Sequence, residues 1–256
     1  NNKVIGLKVS IKTAEQIRKY SARAERNNAV YNFQDIIAVG AAMKRVKNEA
    51  KAAASSPANV LITGESGTGK ELFAQAIHNA SSRFAGPFVP ISCGGFSRET
   101  VETVLIGTEK NPGKFIQADG GTLFLDGISE MSQDMQSFLL RFLEDGIVTP
   151  IGSRRSVHAD VRVIAAAGSE VLQKVKDGSF RLDLYYRLNV LRIDLPPLRE
   201  RQADMQELSN YFVTLLSAGY GKNIFSVSAE TVERFKANYW PGNLRQLRNI
   251  IERSLL

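Results

Sequence analysis

The stretch Gly64-Glu65-Ser66-Gly67-Thr68-Gly69-Lys70 constrains this 256-residue chain more than any other. It follows the apolar run Val60-Leu61-Ile62-Thr63 and precedes a helical pattern over 70–80. The spacing is G-x-x-x-x-G-K, the pattern of a phosphate-binding loop. Its glycines let backbone N–H groups turn inward toward phosphate oxygens. The helix N-terminus behind them adds partial positive charge, and Lys70 adds a full one at the β/γ-phosphates. A Gly-rich turn without a ligand is the bland alternative, but the strand–turn–helix setting favours nucleotide. Glu71 follows the lysine, where most such loops carry Ser or Thr for Mg²⁺.

The rest of the chain is patterned to suit such a loop. Further short apolar runs at 88–91, 122–125, 161–166 and 190–195 read as buried strands. Helical patterns at 41–54, 97–105 and 133–144 separate them, and the alternation predicts a parallel five-stranded sheet with helices on both faces. After Pro196-Pro197 only helices are expected, at about 204–217, 229–238 and 243–256. Asp204 with Glu207, and Asn243 with Gln246, have capping-box spacing. The reading is therefore an α/β domain over 33–197 and a small all-α domain over 198–256. Residues 1–32 form a preceding linker arm, with a loose strand at 3–11 and a helix at 13–27 opened by Thr13 and Gln16.

Leu123-Phe124-Leu125-Asp126 is an apolar strand ending in a carboxylate, which places Asp126 as the Mg²⁺ carboxylate, bound directly or through water. Hydrolysis normally needs a second carboxylate to polarise the attacking water, and the next residue is Gly127.

Composition narrows the class. Hydrophobic content of 43% and charged content of 23% exclude a disordered chain. No 18-residue apolar run and no secretory leader are present, so a cytoplasmic protein without membrane contact is expected. The single cysteine, Cys93, excludes a disulfide framework and reads as a buried apolar residue. His78 and His158 lack a ligand cluster and read as structural. Trp240 and Phe84, Phe88, Phe115, Phe124, Phe138 and Phe142 read as core. The chain begins at Asn1 and ends within a helical pattern, so it reads as a fragment. Its 33 basic and 26 acidic residues give a net charge of +7, which invites a nucleic-acid reading. Residues 1–51 hold 11 basic and 4 acidic side chains, leaving 22 of each in 52–256. The basicity is concentrated in the N-terminal residues 1–51, the arm and the helical pattern that follows it; residues 52–256 are neutral.

Five ordered motifs carry a family resemblance: residues 64–71, Ala118-Asp119-Gly120-Gly121-Thr122-Leu123-Phe124-Leu125-Asp126, residues 180–190, Leu195-Pro196-Pro197-Leu198-Arg199-Glu200-Arg201 and Trp240-Pro241-Gly242-Asn243-Leu244-Arg245-Gln246-Leu247. Together, from about Phe33 to Leu256, they resemble the AAA+ domain of bacterial enhancer-binding proteins, the sigma-54-dependent transcription activators. The resemblance implies an AAA+ fold with a helical lid, and ATP or ADP with Mg²⁺ bound between subunits of a six- or seven-membered ring. Nucleotide would contact Gly64, Glu65, Ser66, Gly67, Thr68, Gly69, Lys70, Glu71 and Ile37. Arg245 matches the lid's second sensor arginine. Arg181 and Arg187 match the arginine-finger positions that reach a neighbour's γ-phosphate. A sigma factor and, through a C-terminal helix-turn-helix beyond Leu256, promoter DNA are the implied partners.

Four departures from the family pattern coincide. The sigma-contacting GAFTGA loop is absent; the chain runs Gly107-Thr108-Glu109-Lys110-Asn111-Pro112-Gly113 instead. Gly127 replaces the Walker B glutamate. Ser92 replaces the asparagine before Cys93 that restrains it. Ala167-Gly168 replaces the polar first sensor. Retained nucleotide binding with slow or absent hydrolysis is the expectation, and Glu130, one turn on, is a stand-in to which the resemblance gives no role. The alternatives are a working ATPase that remodels sigma-54 polymerase and a non-transcriptional P-loop ATPase.

Overall fold

The structure, a computed structural model, describes residues 29–94 and 102–256. The expected strand at 3–11 and helix at 13–27 lie outside the described residues. So does most of the helix expected at 97–105, of which the described part is a single wide turn, Glu102–Ile106.

Seven strands are described: β1 Val60–Thr63, β2 Phe88–Ser92, β3 Thr122–Asp126, β4 Ile147–Val148, β5 Val157–His158, β6 Arg162–Ala167 and β7 Leu191–Asp194. Five of them form one parallel sheet in the order β2-β3-β6-β1-β7. β1 and β6, at its centre, are buried along their whole length, as continuous apolar runs require. Successive residues feed opposite cores because a strand alternates its faces. Leu61, Leu123, Leu125, Val163 and Ala165 pack on one side with α4 (Gln133–Asp145) and α6 (Leu182–Leu188). Val60, Ile62, Phe124, Ile164 and Ala166 pack on the other with α1 (Ala41–Ala54) and α2 (Lys70–Asn79). The sequence reading missed the short elements: the β4–β5 hairpin, α3 (Lys114–Gln117), α5 (Val171–Lys176) and α6. They run four to seven residues or fewer, too short for periodicity to show.

Three helices follow: α7 Met205–Gly219, α8 Ala229–Lys236 and α9 Asn243–Leu255. They share a core of Leu198, Met205, Leu208, Leu247 and Ile251 around Trp240, which is fully buried and donates from Nε1 to the Phe235 carbonyl at 2.6 Å. Neither expected capping box forms. Asp204 Oδ1 accepts from Val39 N and Gly40 N at 2.6 and 2.7 Å, and Asn243 reaches the phosphate loop. Long-range partners outcompete the local cap in both cases. Cys93 is buried, and so is His78, whose Nδ1 shares a hydrogen bond with Thr122 Oγ1. Phe84 corrects the expected core: it is 45% exposed on the turn after α2. Among the described residues no helix is long and apolar enough to cross a membrane.

Candidate nucleotide site

The sheet order makes the site. The chain leaves β1 for the distant β2, and leaves β6 for β7 on the other side of β1. Crossovers that diverge in this way open a crevice at the carboxyl ends of the strands. The loop after β1 and Asp126, the last residue of β3, both open there. Ser66, Gly67, Thr68 and Gly69 of the loop line one cleft of about 550 Å³ with Asp126, Ile37, Lys70, Glu71 and Arg245, whereas Gly64 and Glu65 do not reach it. Tyr31, Met43, Leu208, Tyr211 and Phe212 give the cleft an apolar wall that sequence reasoning did not pick out. They come from separate segments and meet only in three dimensions.

The loop wraps around Lys70, whose Nζ donates to the carbonyls of Gly64 and Glu65 at 2.8 and 3.0 Å. Burial lowers the Lys70 pKa, while the Asp126 and Glu170 carboxylates oppose that shift. Thr68 Oγ1 closes the turn by donating to Glu65 O at 2.8 Å. Gly67 has φ 79°, and a Cβ there would strike the Gly242 carbonyl, so the loop touches the lid backbone.

Lid and loop are clasped. Glu65 takes a bidentate ion pair from Arg199, with N···O distances of 2.7 and 3.0 Å, and a third hydrogen bond from Asn243 Nδ2 at 3.1 Å. The Arg199 hydrogen bond, opposed by partial burial and aided by Asn243, holds the Glu65 carboxyl below its usual range. Asn243 Nδ2 also donates to Ser66 O, Leu244 N to Gly67 O, and Arg245 to Ser66 Oγ, each at 3.0 Å. The Glu65 side chain thus faces the lid rather than nucleotide phosphates. Glu71 Oε1 accepts from Gln75 Nε2 at 3.1 Å, along its own helix. Behind the clasp, the buried pair Arg201–Asp204 (3.0 Å) ties the start of the lid to the segment before α1, and Arg201 donates to Ile37 O at 3.1 Å.

Around Asp126 the structure brings together Ser92, Gly127 and the end of β6, three of the four places expected to depart from the family pattern. β2 pairs Ser92 with Asp126, and β6 pairs Ala166 with it. Gly127 has φ 74°, a left-handed conformation. A Cβ added there would meet Glu130 Cδ at 3.8 Å. Gly168 follows β6 directly, and a Cβ there would collide with the Glu170 carboxylate. Arg181 and Arg187 lie outside the cleft. Arg181 pairs with Asp183 at 2.8 Å, and Arg187 donates to the Leu143 carbonyl at 3.2 and 3.3 Å. Burial pushes the Cys93 thiol well above its usual range, with Asp126 and Glu130 adding to the shift.

A family profile described as the sigma-54 interaction domain matches residues 36–194, and one described as an AAA+ ATPase lid domain matches residues 199–256. The chain belongs to the sigma-54 interaction domain family. Its curated relatives include a signal-transduction and transcriptional-control protein of Clostridium beijerinckii, 42% identical over 98% of this chain and 42% of that protein. The HTH-type transcriptional regulatory protein TyrR of Salmonella typhimurium is 42% identical over 98% of this chain and 48% of its own length. The chain spans about half the length of such relatives. Among solved structures, NtrX from Brucella abortus in complex with ADP superposes with a TM-score of 0.83 at 32% identity, over 94% of this chain and 54% of that one. Its complex with ATP superposes at 0.82, with 32% identity, over 93% of this chain and 52% of that one. The AAA+ fold and the helical lid implied by the motifs are therefore those of the family.

Proposed function

We propose that this chain is the nucleotide-binding AAA+ domain of a bacterial transcription regulator in which nucleotide sets ring assembly while hydrolysis and sigma-54 contact are impaired. The carrying observation is the single cleft that brings the loop around Lys70, Asp126 and Arg245 together. ATP or ADP would lie with phosphates on the loop N–H groups and Lys70, and with the base against the apolar wall near Ile37 and Tyr211. Arg245, resting on Ser66, is placed to swing onto the phosphates.

Asp126, a carboxylate opening into the same cleft as the loop, suits Mg²⁺, a small hard cation that takes oxygen ligands. Asp126 would hold it, and bound there it would neutralise phosphate charge.

Arg187 is exposed and Arg181 half-buried, and both lie outside their own cleft, which suits a role on a neighbour's γ-phosphate in a six- or seven-membered ring. Impaired hydrolysis is supported by the absence of a side chain at Gly127 and Gly168 and by the serine at position 92, in register with Asp126. Loss of a water-activating group lowers rates by about 10²–10⁴. Impaired sigma-54 contact is supported by the tight turn that stands where the GAFTGA loop would project. Gly107 bridges to Pro112, Thr108 N donates to Asn111 O at 2.8 Å, and Ile151 N donates to Gly107 O at 2.9 Å. A sigma-factor partner, promoter DNA contact through a C-terminal domain and a cytoplasmic location belong to the whole regulator in this proposal.

A phosphate-release assay at high protein concentration tests the reading; turnover typical of a ring ATPase would overturn it. The alternative, an active ATPase remodelling sigma-54 polymerase, is favoured by one observation. The Glu130 carboxylate packs against Gly94 and beside Gly127, in space a residue-127 side chain would share. Loss of appreciable turnover in Glu130→Gln would support that alternative.

A further inference from the structure

We propose that Glu170 makes this site select ADP over ATP, by holding a carboxylate at the γ-phosphate end of the cleft. The inference rests on the nucleotide reading above and adds a preference within it.

β6 lies between β1, which carries the phosphate loop, and β3, which carries Asp126. At its carboxyl end Ala167 stands in register with Thr63, and the Ala167 carbonyl accepts from Gly64 N at 3.3 Å. Ala166 stands in register with Asp126. The next residue, Gly168, therefore emerges between the phosphate loop and the metal carboxylate. Any side chain there would run into the Glu170 carboxylate, so Glu170 occupies volume that a residue-168 side chain would fill. The carboxylate is anchored: Ser129, buried in the turn after β3, donates from Oγ to Glu170 Oε1 at 2.8 Å. Lys174 Nζ holds the Ser129 carbonyl at 2.7 Å. Glu170 does not itself line the cleft, but its charge, after that of Asp126, opposes the lowering of the Lys70 pKa by burial.

Lys70 is the group that meets the β/γ-phosphates. A negative charge near it, on the γ side, repels the terminal phosphate of ATP. ADP ends one phosphate earlier and avoids most of that repulsion. Like charges a few ångströms apart at a partly desolvated site shift affinity by about tenfold. Nucleotide discrimination would then follow from Gly168, whose missing side chain admits the carboxylate.

The test is isothermal titration of the 256-residue chain with ADP and with ATP, in Mg²⁺ and again in EDTA, beside Glu170→Gln and Gly168→Ala. Gly168→Ala keeps the charge, but its methyl group takes the volume of the carboxylate and forces it off the Ser129 hydroxyl. The wild-type chain is expected to bind ADP about tenfold more tightly than ATP in EDTA, with a smaller ratio in Mg²⁺, which screens both charges. In both variants the ratio should fall to about two or below, through tighter ATP binding at nearly unchanged ADP affinity. A ratio that neither variant moves overturns the proposal while leaving the nucleotide site standing. Failure of the wild-type chain to bind either nucleotide overturns the site reading and this proposal with it.

Discussion

Lys70 and Glu65 are neighbours in one loop and do different work. Lys70 lines the cleft, its ammonium on the Gly64 and Glu65 carbonyls, which phosphate oxygens would replace in the proposed function. Lys70→Ala should weaken ADP binding at least tenfold in titration, since a hydrogen bond to a charged group contributes about 1.5–3 kcal/mol. Glu65 turns to the lid. Its motif position suggested nucleotide contact, because spacing reports where the backbone goes and not which way a side chain points. Lys70, Asp126 and Gly127 were legible because backbone geometry and strand ends fix their places. Glu170 was not, since its placement depends on a glycine two residues earlier and a serine 41 residues away. Gly127→Glu tests the catalytic gap directly. The left-handed φ of 74° should cost about 1–2 kcal/mol of stability, read as a lower Tm. Phosphate release should nonetheless rise by about tenfold or more, given what a general base contributes; unchanged turnover would contradict the gap.

Between elements, the clasp of α9 and the Arg199 turn on the phosphate loop dominates. Its protonation has a definite sign. Glu65 has a folded pKa below its unfolded value, so the clasp stabilises the protein fully above the usual carboxylate range. That contribution is lost as pH falls through the depressed value. Trp240 is the single tryptophan and packs at the entry to α9, so its fluorescence should report the lid loosening on acidification. Glu65→Gln should loosen the lid at neutral pH and flatten that acid transition; an unchanged transition would argue against the clasp. Asp204→Ala should be more severe, about 3–5 kcal/mol in chemical denaturation, because it strands the buried Arg201 charge. Sequence patterning located the long helices and all five sheet strands to within a residue or two. It misread Asp204 and Asn243 as caps because capping spacing is local and their partners lie 164 and 177 residues away.

For the molecule as a whole, the net charge of +7 says little about the body, which carries equal numbers of acidic and basic groups over residues 52–256. Its lasting feature is the cleft between the loop around Lys70, Asp126 and the lid; in the proposed function it holds nucleotide, and the missing side chains at Gly127 and Gly168 uncouple binding from hydrolysis. In the proposed function, nucleotide bound between subunits would supply the differential affinity that an assembly switch needs. Light scattering during ADP or ATP titration should therefore show the mass rising with occupancy. The most direct test is steady-state phosphate release per subunit at saturating ATP and high protein concentration, where binding is complete. About 0.1 per second or slower is expected, and turnover of several per second, within the ordinary enzyme range, would contradict impaired hydrolysis.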